Sequence, residues 1–222
     1  MKFRFLKSRD DYIVNTCKGK NILHIGAADW PYTQEKLDGG NLLYALLDNV
    51  VKSQVGIDLD KEAASLLNNK EFKNSRIEIF DMNKLNDFDV KVDVIIFGET
   101  IEHVVNPGTA LENLKQVMGV NTELIITTPN AFALRNFINA IKGKEHQHFD
   151  HSVMFSYKTL VQLLGKCGLE VSDFIFTHLH DSENLNGLNW RGKIDHKIQV
   201  FFAKRYPLLA PAMVVKVKLK EI

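Results

Sequence analysis

The sequence alternates between short, continuously apolar segments and segments of helical periodicity, and this alternation most restricts its possible folds. The apolar segments lie at 21–27, 53–59, 76–80, 92–98 and 123–128. Their apolar residues are consecutive rather than alternating, which is typical of strands covered on both faces. Apolar residues three and four positions apart, as in amphipathic helices, occur between them at 42–51, 61–69 and 108–118. This βαβα order predicts a doubly wound α/β fold with a mainly parallel sheet.

Two helix boundaries carry clear signals. Asn106 can cap the helix at 108–118, and Pro107 supplies a preset first-turn dihedral angle. Further along, Ser156 can cap a helix that Gly168 ends.

The C-terminal part is predicted to complete the sheet. A helix over 131–143 and a polar, histidine-rich loop follow Asn130. Two further strands, at 170–178 and 212–220, are expected as an antiparallel pair separated by a loop-rich segment, 181–211. The prediction is therefore a seven-stranded sheet in a single domain that spans the whole chain.

Composition excludes several classes of protein. The chain has 222 residues, 45% of them hydrophobic and 25% charged, which is the profile of an ordinary globular domain. A net charge of +1 gives no general attraction to nucleic acid or acidic membranes. No segment approaches the roughly 18 apolar residues of a membrane span, so we expect a cytoplasmic protein. Cys17 and Cys167 are far apart in sequence and are expected to be reduced thiols.

The residues HIGAADW, after the first strand, restrict the class of ligand that can bind there. In an open α/β sheet, ligands bind beyond the carboxyl ends of the strands. A dinucleotide site needs G-x-G-x-x-G so that the backbone can approach a pyrophosphate, but this chain has Ala28 and Trp30 after Gly26. The loop therefore favours a nucleoside ligand without phosphates, such as S-adenosylmethionine.

Carboxylates follow the next two strands as such a ligand requires. Asp58 ends the second strand and can accept both hydroxyls of a ribose, whereas Asp60 is better placed to cap the following helix. Asp81 ends the third strand and can receive an adenine amine, with Met82 packed near the ring. Each of these carboxylates is weak evidence alone, but their occurrence in this order at successive strand ends favours a nucleoside site.

These motifs resemble the class I S-adenosylmethionine-dependent methyltransferases, and within them the ubiquinone-pathway and glycan-modifying O-methyltransferases. The resemblance spans roughly 20–178 and rests on ILHIGAADWPY, VGIDLD, IFDM, FGETIEHVVNPGTALENL, LIITTPNAFAL and FDHSVMFSYKTLVQLLGKCGLEV. The chain departs from the family pattern at His24, where an acidic residue is usual, and at Ala28, where glycine is usual. The resemblance implies that the cofactor is bound by Gly26, Ala27, Asp58, Leu59, Asp81, Met82 and Gly98.

Glu99, Glu102 and His103 crowd the end of the fourth predicted strand. If residues 99–103 form a helix, as the family's loop does, the three side chains share one face. Two carboxylates and an imidazole suit a divalent ion such as Mg²⁺ or Mn²⁺. A structural role, in which Glu102 and His103 cap a turn, is the alternative.

The resemblance extends to terminal 2′-O-methyltransferases of small RNAs. There, the E-x-x-E-H spacing carries a metal together with a later histidine from a D-H pair, which is Asp150-His151 in this chain. The implied metal ligands are Glu99, Glu102, His103 and His151. The catalytic candidates are His103, His151 and Glu99, with either histidine as a base for a hydroxyl acceptor. His146 and His148 are expected to be solvated loop residues.

The acceptor is less defined. Trp30, Tyr32, Trp190 and Arg191 suit a carbohydrate or aromatic site, but packing roles are as plausible for each. The leading prediction is O-methylation of a sugar or glycan intermediate. The alternatives are a terminal RNA ribose or a quinone precursor as acceptor, and a catalytically silent cofactor-binding partner. Nucleic-acid binding is not expected from the overall charge, although the segment from Lys193 onward is locally basic.

Overall fold

Eight strands form one sheet in the part of the chain that the structure describes. The structure is a computed structural model, and it describes residues 3–88, 91–145, 147–178 and 189–221. The strands are β1 (Arg4–Leu6), β2 (Asn21–Ile25), β3 (Ser53–Asp58), β4 (Ser75–Ile79), β5 (Val94–Gly98), β6 (Glu123–Pro129), β7 (Leu169–Thr177) and β8 (Ala212–Leu219). Their spatial order is β1-β7-β8-β6-β5-β2-β3-β4. β8 runs antiparallel to both neighbours, and all other pairs are parallel.

The helices flank this sheet. They are α1 (Arg9–Cys17), α2 (Thr33–Asp38), α3 (Leu43–Asp48), α4 (Lys61–Asn68), α5 (Pro107–Lys115), α6 (Leu134–Ile141), α7 (Tyr157–Lys166) and α8 (Trp190–Arg205). The predicted caps are present: Asn106 Oδ1 accepts from the Thr109 N–H, and Ser156 forms a capping box with Thr159. Gly168 ends α7 with a φ of 71°. Among the described residues, no helix has the length and apolarity needed to cross a membrane.

The predicted α/β architecture is confirmed, and the structure adds elements that the sequence analysis did not predict, among them α1 and α2. β1 adds a short strand that pairs in parallel with β7. Most of the segment predicted to be loop-rich is α8, while its first part, 181–188, lies outside the described residues. The sequence prediction missed α8 because charged residues are interleaved among its apolar ones.

The central strands bury both faces, which explains their continuous apolarity. In β5, Ile95 and Phe97 belong to the apolar cluster that α5 and α7 cover. Val94 and Ile96 belong to a second cluster on the opposite face, where α1 and α3 pack. Since successive side chains of a strand point to opposite faces, a strand enclosed in this way needs apolar residues at every position.

The sheet also fixes where a ligand can bind. The chain passes from β2 outward to β3 and β4 and then returns to β5 on the other side of β2. This reversal is a topological switch point, where the loops after β2 and β5 diverge and leave a crevice. The predicted cofactor residues, and Glu99 and His103 of the predicted catalytic residues, follow the carboxyl ends of β2, β3, β4 and β5, so the fold brings them to one edge.

Candidate functional site

The turn after β2 requires glycine. Gly26 has a φ of 68°, and a Cβ there would lie 2.7 Å from Thr100 Oγ1 of the loop after β5. Its N–H donates to the Ile57 carbonyl oxygen at 2.9 Å, which ties the turn to β3. The bare backbone at Gly26 therefore lets the loops after β2, β3 and β5 approach one another closely.

Ala27 and Ala28 are fully buried. Both belong to an apolar cluster with Tyr44 and Ala64. The alanine at position 28 thus contributes its methyl group to packing against α3 and α4, which accounts for this departure from the glycine-rich pattern.

Asp58 is held rigidly at the end of β3. Its Oδ2 accepts from the Ala28 N–H at 2.9 Å and its Oδ1 from the Asp60 N–H at 3.0 Å. Each carboxylate oxygen keeps a lone pair for a further donor, as two ribose hydroxyls would require. Asp60 caps α4 by accepting from the Ala63 N–H at 2.7 Å. The adjacent Leu59 exposes an apolar side chain.

The residues after β4 have partly structural roles. Asp81 Oδ1 accepts from the backbone and side-chain N–H groups of Asn83, both at 2.9 Å, and so caps a 3₁₀ turn. Met82 is buried in the main apolar cluster. Gly98 ends β5, and a Cβ at this position would lie 3.4 Å from Thr127 Oγ1.

His24 is buried where the family usually has a carboxylate. Burial lowers the pKa of His24 to about 4 and outweighs the opposing influences of Gln54 and Asp29. The imidazole is therefore neutral at pH 7, and its Nδ1 has no hydrogen-bond partner among the described residues. It supplies no negative charge to the site.

Glu99 follows β5 in a left-handed conformation, with a φ of 45°. Its N–H donates to the carbonyl oxygen and to Oγ1 of Thr127, each at 3.0 Å, and these bonds hold the unusual backbone in place. The predicted helix over 99–103 is wrong. The chain instead makes a turn in which the His103 N–H donates to the Thr100 carbonyl oxygen at 3.0 Å, because the conformation of Glu99 is incompatible with a right-handed helix.

Arg9 of α1 reaches the same place, and sequence reasoning missed it. Its Nη1 lies 3.4 Å from Glu99 Oε1, and its Nε donates to Asp10 Oδ1 at 2.8 Å. Burial alone would lower the pKa of Arg9, but Asp10 and Glu99 outweigh burial and raise it. Arg9 and Glu99 are therefore a partly buried ion pair at the end of β5. No local pattern signals this pair, since its members are distant in sequence.

Glu102 faces the interior and is only 1% exposed. Its Oε2 accepts from Thr128 Oγ1 at 3.1 Å, while its Oε1 has no hydrogen-bond partner among the described residues. Burial, followed by the nearby Glu99 carboxylate, raises the pKa of Glu102 to about 8. Its carbonyl oxygen accepts from the N–H groups of Ser152 and Val153 at 2.8 and 3.2 Å. The backbone of Glu102 therefore holds the end of the histidine-containing loop, and its side chain is a mostly protonated carboxylic acid.

Three histidines converge above this turn. The ring centroids of His103 and His151 are 4.7 Å apart, and His148 lies 5.8 Å from His103 and 5.3 Å from His151. One nitrogen from each ring lies within 4.8 Å of the others. Neither Glu99 nor Glu102 belongs to this group among the described residues. His148, expected to be only solvated, joins it, and the H-x-x-H spacing of 148 and 151 was the available signal. His146 lies outside the described residues.

The histidine group, which we define as His103, His148 and His151, has its own electrostatics. His103 Nδ1 lies 3.1 Å from the Asp150 carbonyl oxygen and 3.2 Å from Asp150 Oδ2. With the proton on Nδ1, these contacts leave Nε2 as an acceptor. Partial burial, followed by repulsion from the other two imidazoles, lowers the pKa of His151. His151 therefore offers a neutral imidazole near pH 7.

Comparisons with known proteins agree with this architecture. A family model described as "Methyltransferase domain" matches residues 38–173. No protein of curated function matches the sequence. An S-adenosylmethionine-dependent methyltransferase from Archaeoglobus fulgidus has 16% sequence identity and a TM-score of 0.56, over 94% of this chain and 90% of that chain.

Two further solved structures are similar. The YcgJ protein from Bacillus subtilis has 13% identity and a TM-score of 0.59, with 96% of this chain and 98% of that chain covered. A chain from the complex of the Haloferax volcanii Trm112 methyltransferase activator with a methyltransferase has 12% identity and a TM-score of 0.59, over 96% and 88% of the two chains. Because the family model covers more than half of the sequence, the chain belongs to the class I S-adenosylmethionine-dependent methyltransferases.

Proposed function

We propose that the protein transfers a methyl group from S-adenosylmethionine to a hydroxyl of a sugar or glycan intermediate. The observation that carries the proposal is the position of the histidine group, which adjoins the turn after β5 at the edge where the cofactor candidates lie. A sugar hydroxyl is a poor nucleophile until it loses its proton, so its methylation requires a base or a metal ion. An imidazole at this edge can meet that requirement.

The residues present fit the cofactor. The close backbone turn at Gly26 and the fixed carboxylate of Asp58 suit a ribose, and exposed Leu59 offers an apolar surface for adenine. Ala27, Asp81, Met82 and Gly98 complete the proposed cofactor set. Since His24 is neutral, we take Glu99 as the candidate for the cofactor's ammonium group.

The chain's own residues would perform the proton transfer. When bound, the cofactor supplies an activated sulfonium methyl group. His103, oriented by Asp150 through Nδ1, would accept the acceptor hydroxyl's proton at Nε2. His151 is the alternative base, because its lowered pKa keeps it neutral near pH 7. Holding the hydroxyl in line within attack distance contributes on the order of 7 kcal/mol in the best cases.

A divalent ion is a second way to activate the hydroxyl. The combination of Glu99, Glu102, His103 and His151 suits Mg²⁺ or Mn²⁺ by ligand type, but Glu102 is buried, mostly protonated and bonded to Thr128. Mg²⁺ prefers oxygen ligands, so the histidine group fits it poorly. Imidazole nitrogens suit ions such as Mn²⁺ or Zn²⁺ better. We therefore place any such ion on His103, His148 and His151.

The first experiment is calorimetric titration with S-adenosylhomocysteine, with Mg²⁺ present and then with a chelator. Micromolar binding in both buffers would support the cofactor assignment, and no binding in either would refute it. An acceptor screen with labelled S-adenosylmethionine then tests sugars, RNA and quinone precursors. Turnover on RNA with a steep salt dependence would favour the RNA alternative. Intact binding without turnover on any acceptor would support a silent cofactor-binding partner.

Variants test whether the histidines act in activating the hydroxyl and which of them would bind an ion. His151→Ala should abolish methylation and leave S-adenosylhomocysteine affinity unchanged, whereas Glu145→Ala, an exposed residue near the same loop, should change neither. Metal titrations of His148→Ala distinguish the ligand sets, because only the three-histidine set loses a ligand. Full turnover in His151→Ala would exclude this residue as a base or essential ligand.

A further inference from the structure

Helix α8 presents an apolar stripe to solvent. Trp190 and Phe201 are 67% and 68% exposed, and Ile194 and Ile198 between them are also exposed. Their spacing of four, four and three residues places them along one side of the helix. All sixteen residues of α8 are described, and only Ala203 is buried. The helix therefore turns its large apolar side chains outward, whereas surface helices usually turn them toward the core.

Helix α6 does the same beside it. Phe137 and Ile141 lie one turn apart and are 61% and 71% exposed, and Phe132 just before the helix is exposed as well. No residue of α6 is buried. Because α6 contacts α8, the two sets form one region, which we call the α6–α8 surface and define as 131–144 and 189–206.

The α6–α8 surface is strongly basic. It contains one acidic residue, Asp195, and eight basic residues: Arg135, Lys142, Lys144, Arg191, Lys193, Lys197, Lys204 and Arg205. Its net charge is thus +7, whereas the whole chain carries +1, so the remainder of the chain carries −6. This asymmetry is absent from the overall composition and would orient the molecule in an electric field.

The surface is anchored at the carboxyl edge of the sheet. Asn130, directly after β6, donates through Nδ2 to the carbonyl oxygens of Leu208 and Ala210 at 2.8 and 2.7 Å. Its Oδ1 accepts from the Phe132 N–H at 3.1 Å, immediately before α6. One side chain therefore ties the entry to α6 and the segment after α8 to the edge that carries the cofactor candidates.

We propose that the α6–α8 surface docks the protein onto an anionic lipid membrane. Large apolar side chains flanked by Lys and Arg are the composition of helices that lie in a membrane interface, and basic residues are attracted to anionic headgroups. Nucleic acid would complement the charge but leave the aliphatic side chains of Ile194, Ile198 and Ile141 in water. This inference does not depend on the acceptor or on the proposed chemistry.

Docking in this orientation has a consequence for substrate access. The carboxyl edge of the sheet would lie next to the membrane, because Asn130 ties both helices to it. An acceptor held in the membrane by a lipid anchor would then meet the protein near the cofactor site.

Vesicle flotation tests the proposal. Phosphatidylcholine vesicles are compared with vesicles of phosphatidylcholine and phosphatidylglycerol, in low and high salt. We expect the protein to float with the anionic vesicles only and to be released by salt. Lys193→Gln/Lys197→Gln should weaken partition about 30-fold, since each lysine near an anionic surface contributes about fivefold. The matched control, Lys52→Gln/Lys70→Gln, removes two exposed lysines elsewhere and should change partition little.

The apolar contribution is tested separately. Ile194→Ser/Phe201→Ser should weaken partition at least about tenfold, whereas Val120→Ser, at an exposed apolar residue elsewhere, should not. The emission of Trp190 should shift to the blue on anionic vesicles, and Trp190→Phe should remove the shift. Unchanged S-adenosylhomocysteine binding shows that a variant is folded.

Several results would overturn the proposal. Among them are no partition onto anionic vesicles, equal partition onto neutral ones, and equal losses in the test and control variants. A lipid-independent dimer that Ile194→Ser/Phe201→Ser dissociates, with no vesicle binding by the wild type, would assign the surface to a second copy of the chain. Tight RNA binding without vesicle binding would assign it to nucleic acid.

Discussion

Replacing Glu102 with glutamine tests how the buried turn after β5 is held. Burial and Glu99 raise the pKa of Glu102 from 4.5 to about 8 in the folded state. The unfolded chain therefore loses this proton near pH 4.5, while the folded protein keeps it until about pH 8. The contribution of Glu102 to the free energy of unfolding is fully present below pH 4.5 and is lost as the pH rises through this window.

The magnitude follows from the width of the window. Between pH 4.5 and 7, the folded state keeps a proton that the unfolded state releases, which costs about 3 kcal/mol at about 1.4 kcal/mol per pH unit. Glutamine does not ionise, and its carbonyl oxygen can still accept from Thr128. Its new amide group costs about 1 kcal/mol or more if it lacks a partner. We expect Glu102→Gln to be more stable than the wild type by about 1 to 2 kcal/mol at pH 7, and no more stable at pH 4.5.

Urea denaturation of both proteins at pH 5, 7 and 8 measures this difference. The advantage of Glu102→Gln should grow with pH, whereas Glu145→Gln, which removes an exposed carboxylate, should show a nearly constant difference. A difference that does not change with pH, or a variant less stable at pH 8 than at pH 5 relative to the wild type, would refute the reasoning.

Three further predictions concern the site and its support. Gly26→Ala should destabilise the protein by about 1 kcal/mol or more, because of the positive φ and the 2.7 Å approach of Thr100 Oγ1. Calorimetry should also show weakened S-adenosylhomocysteine binding, and an unchanged affinity would exclude this turn from the proposed site. The pKa of His24 falls from 6.5 to about 4 on folding, so its contribution to stability is present above pH 6.5 and is lost as the pH falls through 4, about 3 kcal/mol in all. His24→Gln should therefore reduce the fall in the free energy of unfolding at acid pH. A pH dependence identical to that of the wild type would contradict the burial of a neutral His24. Ser156→Ala removes the capping box of α7 and should lower the free energy of unfolding by about 1 kcal/mol in urea denaturation, whereas Ser152→Ala, a loop control, should cost less.

The sheet was largely predictable because its signal is local. A strand covered on both faces must be apolar at consecutive positions, and β5 shows this with Ile95 and Phe97 on one face and Val94 and Ile96 on the other. The caps at Asn106 and Ser156 are likewise local, since each side chain bonds the backbone three residues on. β1 was not predictable in this way, because three residues form a strand only where β7 offers an open edge.

The sequence predicted where the site lies but not which of its side chains contact one another. The βαβ order alone places Gly26, Asp58 and Asp81 at one edge of the sheet. Which groups meet there was decided by tertiary structure: the left-handed backbone of Glu99 replaces the expected helix, and His148 joins His103 and His151.

The sequence by itself thus determined the architecture, the cofactor edge and the family, because hydrophobic periodicity and strand order are written in neighbouring residues. Only the tertiary structure decided the pairing of Arg9 with Glu99, the raised pKa of Glu102 and the outward stripe of α8. These properties depend on burial and on distances between residues far apart in the chain. The surroundings in the folded protein set the free energy of a charged or an apolar side chain.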